Sequence, residues 1–184
     1  MKVNEKLKQY IEKNILPEYQ KNDEGHNLDH AMCVIRRSFV FANMVDEINY
    51  DMVYTVAAYH DVAVHVDREN HEKLSGEILA QDKKLREFFR DEEIQIMKEA
   101  VEDHRASLEE EPRSVYGKIV SSADWNTRIE IVFIRSFFVV KERQPGSVIE
   151  DYLEYTYKRL SKRYGEESPE NMFYEDEIYQ VFLS

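Results

Sequence analysis

Apolar residues return every third or fourth position along most of the chain, and no run of four or more alternates convincingly between turn signals. A stripe of this period lines one side of an α-helix, whereas a half-buried strand needs a period of two. Between residues 51 and 64, Val53, Val56, Ala57, His60 and Val64 share one face. Val3, Leu7, Tyr10, Ile11 and Ile15 do the same ahead of Pro17, and Cys33, Val34, Phe41 and Met44 mark a helix from Asp29 to about Val45. The run "HEKLSGEILAQDKKLREFF" continues the rhythm, "RDEE" opens a helix through Ile94, Met97 and Val101 to His104, and Val115, Ile119 and Val120 lead to Asp124. "RIEIVFIRSFFVVKER" is a long helix that stops at Pro145-Gly146, another spans about Val148 to Tyr164, and Met172 to Leu183 reads as a short aromatic helix. "QKNDEGHN", "VDREN", "RASLEEEPRS" and "GEESP" are the loops. The pattern predicts an all-α, single-domain bundle of about seven to nine helices.

A chain of 184 residues suits one domain with a core of its own, so residues 1–184 are expected to form a unit with the helices of 147–184 packed on it. Its single cysteine, Cys33, excludes an internal disulfide. The start "MKVNEKLKQY" lacks a stretch of signal-peptide type, so a cytoplasmic setting is expected. The most apolar stretch, "IVFIRSFFVV", is broken by Arg135 and too short for a membrane span. A formal charge of -12 repels nucleic-acid backbones at long range and argues against a nucleic-acid partner. No Gly-rich phosphate loop or CxxC pair occurs.

The informative residues are polar ones on apolar stripes. His30, His60, Asp61 and Asp124 fall on or beside core-facing stripes, where a simple bundle would carry Leu or Ala. A single inward histidine is more often a hydrogen-bonded core residue, and Asp124 alone could cap a neighbouring helix. Four buried titratable groups would each lose solvation, whereas one divalent cation would satisfy them together. Imidazole nitrogen with carboxylate oxygen is a ligand set for Zn, Mn, Fe, Co or Ni.

Read in order as "H…HD…D", these residues resemble the HD superfamily of metal-dependent phosphohydrolases. "GHNLDHAMCVIRRS" is similar to that family's first metal-binding helix, "VAAYHDV" to its HD helix and "YGKIVSSAD" to its last ligand helix, over roughly residues 20 to 130. The resemblance implies that His30, His60, Asp61 and Asp124 hold one divalent ion (Mn, Fe, Co, Ni, Zn or Mg), with Asp61 orienting the water it activates. It also implies roles for His71 and His104, as ligands of a second ion or as catalytic groups contacting phosphate. His26, Arg68, Arg105 and Lys118 are the implied substrate-side residues, with Arg113 either joining them or making surface ion pairs. Trp125 departs from the basic or small residue that many relatives carry after the last ligand, and implies an altered pocket wall. His65 is expected in solvent.

The implied activity is hydrolysis of a small phosphate ester, a nucleotide first among the candidates. The alternatives are a regulatory HD domain that binds a nucleotide without turnover, and a di-iron oxygenase of HD type. The aromatic run "YLEYTY" offers either a homodimer face or a solvated helix face.

Overall fold

Side chains placed to satisfy free backbone amides begin four of the helices. A computed structural model of the chain describes residues 3–105, 110–125, 129–164, 172–177 and 179–180. Asn4 accepts from the amides of Lys6 and Leu7 to open α1 (Glu5–Asn14), and Asn27 accepts from the His30 amide to open α2 (Leu28–Ala42). Asn49 caps α3 (Tyr50–Tyr59) through Asp51 and Met52, and Ser114 caps α6 (Val115–Asp124) through Gly117. Between them lie α4 (His71–Gln81) and α5 (Asp91–Glu102). The chain continues into α7 (Ile129–Arg143) and α8 (Ile149–Tyr164). Eight α-helices and no strand occur among the described residues, as the periodicity predicts. None of these helices is long and apolar enough to cross a membrane.

The chain divides into two compact units. The first holds α1 to α6 together with Met172–Asp176, and its core is built from Leu7, Ile11, Tyr19, Val34, Phe41, Val53, Val56, Leu79, Met97, Val101 and Ile119. The second holds α7 and α8, where Phe137 stacks on Tyr152 with ring centroids 4.8 Å apart.

Four local expectations are corrected. The helix foreseen over 51–64 ends at Tyr59, and the chain then tightens into turns in which the amides of Val62, Val64 and Val66 bond back three residues, to Tyr59, Asp61 and Ala63. The stretch "QKNDEGHN" is ordered by two 3-10 turns, Leu16–Lys21 and Glu24–His26, rather than being irregular throughout. The helix after residue 71 stops at Gln81, because Asp82 takes extended backbone and caps a 3-10 turn over Lys83–Glu87. Residues Met172–Asp176 are not helical: the amides of Phe173 and Tyr174 both donate to Ser122 Oγ on α6, and Tyr174 stacks on Phe41. The "GEESP" turn and residues 106–109 of the "RASLEEEPRS" loop lie outside the described residues.

The packing of α4 on α5 depends on one absent side chain. A Cβ at Gly76 would meet the Lys98 carbonyl oxygen at 3.1 Å and Glu102 Cγ at 3.0 Å, so glycine is what lets these helices close. That closure sets the N-terminus of α4 beside the C-terminus of α5, where His71 and His104 lie.

Candidate metal centre

The turn that carries His60 and Asp61 is held on several sides. Tyr19, fully buried, donates its hydroxyl to the Ala58 carbonyl at 3.1 Å and accepts from the Asp61 amide at 3.2 Å. Asn22 donates to the Asp61 carbonyl at 3.0 Å and accepts from the His65 amide at 2.9 Å. Ser75 Oγ, on α4, accepts from the Ala63 amide at 3.2 Å. A buried turn with its backbone satisfied in this way fixes the direction of both side chains.

Three histidines share one device. His60, His71 and His104 each turn Nδ1 toward the carbonyl three residues earlier, those of Ala57, Arg68 and Val101, at 2.8, 2.9 and 2.6 Å. Each Nδ1 therefore carries the proton, and each Nε2 presents a lone pair inward. The rings stand edge to face in series: His30 to His60 at 5.3 Å, His60 to His104 at 5.2 Å and His104 to His71 at 5.3 Å between centroids.

Asp61 lies at the middle of that series. Its Oδ2 is 3.3 Å from His60 Nε2 and 3.4 Å from His30 Nε2, and Asp124 Oδ1 is 3.1 Å from the same His30 nitrogen. Its Oδ1 faces the other way, 3.1 Å from His71 Nε2 and 3.3 Å from His104 Nε2. Two donor groups result, His30/His60/Asp61/Asp124 and Asp61/His71/His104, each with its ligand atoms within 4.8 Å of one another. Burial works to raise the Asp61 carboxyl; with the imidazoles of His60, His104 and His30 protonated, their charge and N–H groups outweigh it and hold it well below the usual carboxylate range. With their inward nitrogens unprotonated, a bound cation would take that role, and Asp61 is an anion in either case.

This arrangement fits a divalent cation on its own geometry. Asp61 Oδ1 is buried and receives no hydrogen bond, although two imidazole nitrogens stand within 3.3 Å of it. Both of those nitrogens are acceptors, because their protons sit on Nδ1. Lone pairs confronting a carboxylate at this range repel unless a positive centre lies between them. The Nδ1 bonds to backbone carbonyls are also the outer support by which metal-ligating histidines are oriented.

The other foreseen residues divide. His26 and Arg68 meet at Asp23, whose carboxylate takes His26 Nδ1 at 2.9 Å and Arg68 Nη2 at 2.8 Å; the His26 ring stands edge-on to His30 at 5.9 Å. Arg105 is exposed and bonds the Glu69 carbonyl and Glu72 Oε1, at 3.3 and 3.4 Å. Lys118 pairs with Glu111 at 2.5 Å and lies over the Phe173 ring. Arg113 is bound to Asp103 and Glu102, a surface ion network. His65 is exposed, and Trp125 is 2% exposed, so its indole is core.

Sequence reasoning missed Tyr19, Asn22, Asp23 and Arg37. For Arg37 the signal was present: it falls between Val34 and Phe41 at steps of three and four, a charged residue on an apolar stripe. Its Nη1 donates to the carbonyls of Ala123, at 3.1 Å, and of Trp125, the residues on either side of Asp124. Its Nε donates to Asp176 at 2.9 Å.

The HD domain family model matches residues 27–129, more than half of the chain and every residue of both donor groups. The chain belongs to the HD domain family. The HD fold extends beyond that segment: the chain is similar to the crystal structure of a predicted HD superfamily hydrolase from an uncultured Thermotogales bacterium, with a TM-score of 0.51 and 18% identity, covering 84% of this chain and 91% of that one. No curated protein matches the chain. In this HD domain the ordered His30, His60-Asp61 and Asp124 come together as one cluster able to hold a metal.

Proposed function

We propose that the chain is a metal-dependent phosphohydrolase acting on a small phosphate ester, with nucleotides as the first class to test. The observation that carries the reading is the convergence of acceptor atoms on both oxygens of Asp61. His30, His60, Asp61 and Asp124 would hold a first ion, and Asp61, His71 and His104 could take a second. Bound there, divalent ions supply Lewis acidity at a phosphoryl oxygen and lower the pKa of water.

The chain's own groups do the rest. Asp61, anionic in its buried turn, orients the attacking water, and the Nδ1 bonds of His60, His71 and His104 keep their inward nitrogens unprotonated. Arg68 and His26, held together by Asp23 beside His30, supply the positive charge and donors a phosphate needs. Arg105 and Lys118 are paired with Glu72 and Glu111 instead.

The test is metal analysis of the purified protein followed by a phosphate-release screen over nucleotides with Mn, Co, Ni and Mg. Turnover that disappears in Asp61→Asn and His60→Ala supports the proposal; full turnover in metal-free protein overturns it. The paired donor groups also suit a di-iron centre, and two irons per chain with oxygen-dependent, phosphate-silent activity would select that reading instead.

A further inference from the structure

The second unit carries an exposed apolar stripe with an ordered charge pattern beside it. On α8, Ile149, Leu153 and Tyr157 recur at four-residue steps and are 62, 51 and 72% exposed, with Val148 extending the stripe at its start. The adjoining row at the same step is Glu150, Glu154, Lys158 and Lys162, all exposed. The inner side of the helix is different: Thr156 is buried, and Tyr152 packs under Phe137. Three large apolar residues in one exposed line are an interaction face rather than scattered surface hydrophobes.

We infer that a second copy of this chain covers the stripe, with the two α8 helices antiparallel about a two-fold axis between Leu153 and Tyr157. The charge order singles out this occupant. The first half of α8 is acidic, with Glu150, Asp151 and Glu154, and the second half is basic, with Lys158, Arg159, Lys162 and Arg163. An antiparallel two-fold sets each half against its opposite. Leu153 of one copy then meets Tyr157 of the other about position 155, while Glu154 faces Lys158 and Glu150 faces Lys162 in the adjoining row about position 156, one residue along. A parallel pair would oppose like charges along the whole seam. In the single chain Glu154 already pairs with Lys158 at 2.6 Å, and exchanging that bond for one across the seam costs little. A helix of 16 residues is about 24 Å long, so the seam falls in the small class of interfaces, below roughly 1,200 Å2 in total. Dimer is therefore expected to build up only as the concentration rises through the micromolar range.

Sedimentation equilibrium of the full chain across the micromolar range tests this. The wild type is expected to shift from monomer to dimer, and Leu153→Glu to weaken the dimer at least tenfold with an unchanged circular dichroism spectrum. Two charge variants make the geometry specific. Glu150→Lys with Glu154→Lys makes the row beside the stripe wholly basic, and Lys158→Glu with Lys162→Glu makes that row wholly acidic. Each alone is expected to stay monomeric, and an equimolar mixture to form the heterodimer. A wild type that is monomeric throughout, a dimer indifferent to Leu153→Glu, or a mixture that does not associate overturns the inference. So does a monomer that instead binds vesicles of mixed neutral and anionic lipid through this stripe.

Discussion

Asp61 Oδ1 stands 3.1 Å from His71 Nε2 without forming a hydrogen bond, while its Oδ2 faces His60 at 3.3 Å. One carboxylate therefore belongs to two donor groups whose remaining members come from α2, α4, α6 and the ends of α3 and α5. The metal content of single variants follows from that sharing.

Asp61→Asn is expected to abolish tight metal binding altogether, since it removes the anion common to both groups. His71→Gln is expected to remove no more than one ion and leave the His30/His60/Asp124 group loaded. Metal-to-protein ratios by mass spectrometry after desalting separate the two outcomes; equal loss in both variants would contradict the shared-carboxylate geometry.

Chelation is expected to lower the thermal midpoint. Metal at one hundred times its dissociation constant contributes about 2.7 kcal/mol to the folded state. For a chain of this size that is roughly 5–10 °C. Calorimetry with and without chelator, then with Mn restored, checks the shift, and Asp61→Asn should be indifferent to the treatment.

Replacing Gly76 by Leu forces apart α4 and α5 at the Lys98 carbonyl, where only 3.1 Å is available. The expected loss is about 1–3 kcal/mol of stability. The loss of His71/His104 metal occupancy should exceed that of His30/His60/Asp124, because only the former pair straddles this packing. Urea unfolding and metal ratios on the same preparation give both quantities.

Asp23 anchors His26 and Arg68, and despite its partial burial those partners and the Gly25 amide hold its carboxyl below the usual range. A depressed folded-state pKa stabilises fully above the unfolded value of about 4, and that contribution is lost as pH falls from there toward the folded value. The stability gap between the wild type and Asp23→Asn is thus expected to narrow as pH falls below 4. Urea midpoints at pH 7, 5, 4 and 3 measure it; a gap that widens on acidification would reverse the sign argued here.

The stripes of α2, α3, α5 and α6 were readable in the sequence because a 3.6-residue period survives in single residues, and so were the four polar positions that interrupt them. What the period does not encode is where a helix tightens. Residues 60 to 66 keep the composition of a helix, yet Asn22, Tyr19 and Ser75 take up their backbone groups from distant parts of the chain. Lys118 shows the converse. It lies close to Asp124 in sequence but pairs with Glu111, a partner no spacing rule would name. Arg68 lies 45 residues from Asp23, and only the folded chain brings them together.

Arg37 clasps the backbone at Ala123 and Trp125 and, with the same guanidinium, Asp176. The chain leaves the unit of the two donor groups after the first of these places, and the second is the last residue of the segment Met172–Asp176 by which it returns. One guanidinium therefore ties the exit of the chain to its return, at the peptide groups on either side of Asp124. A change at Arg37 thus reaches the last of the four candidate ligands through its own backbone, without touching a side chain of the cluster.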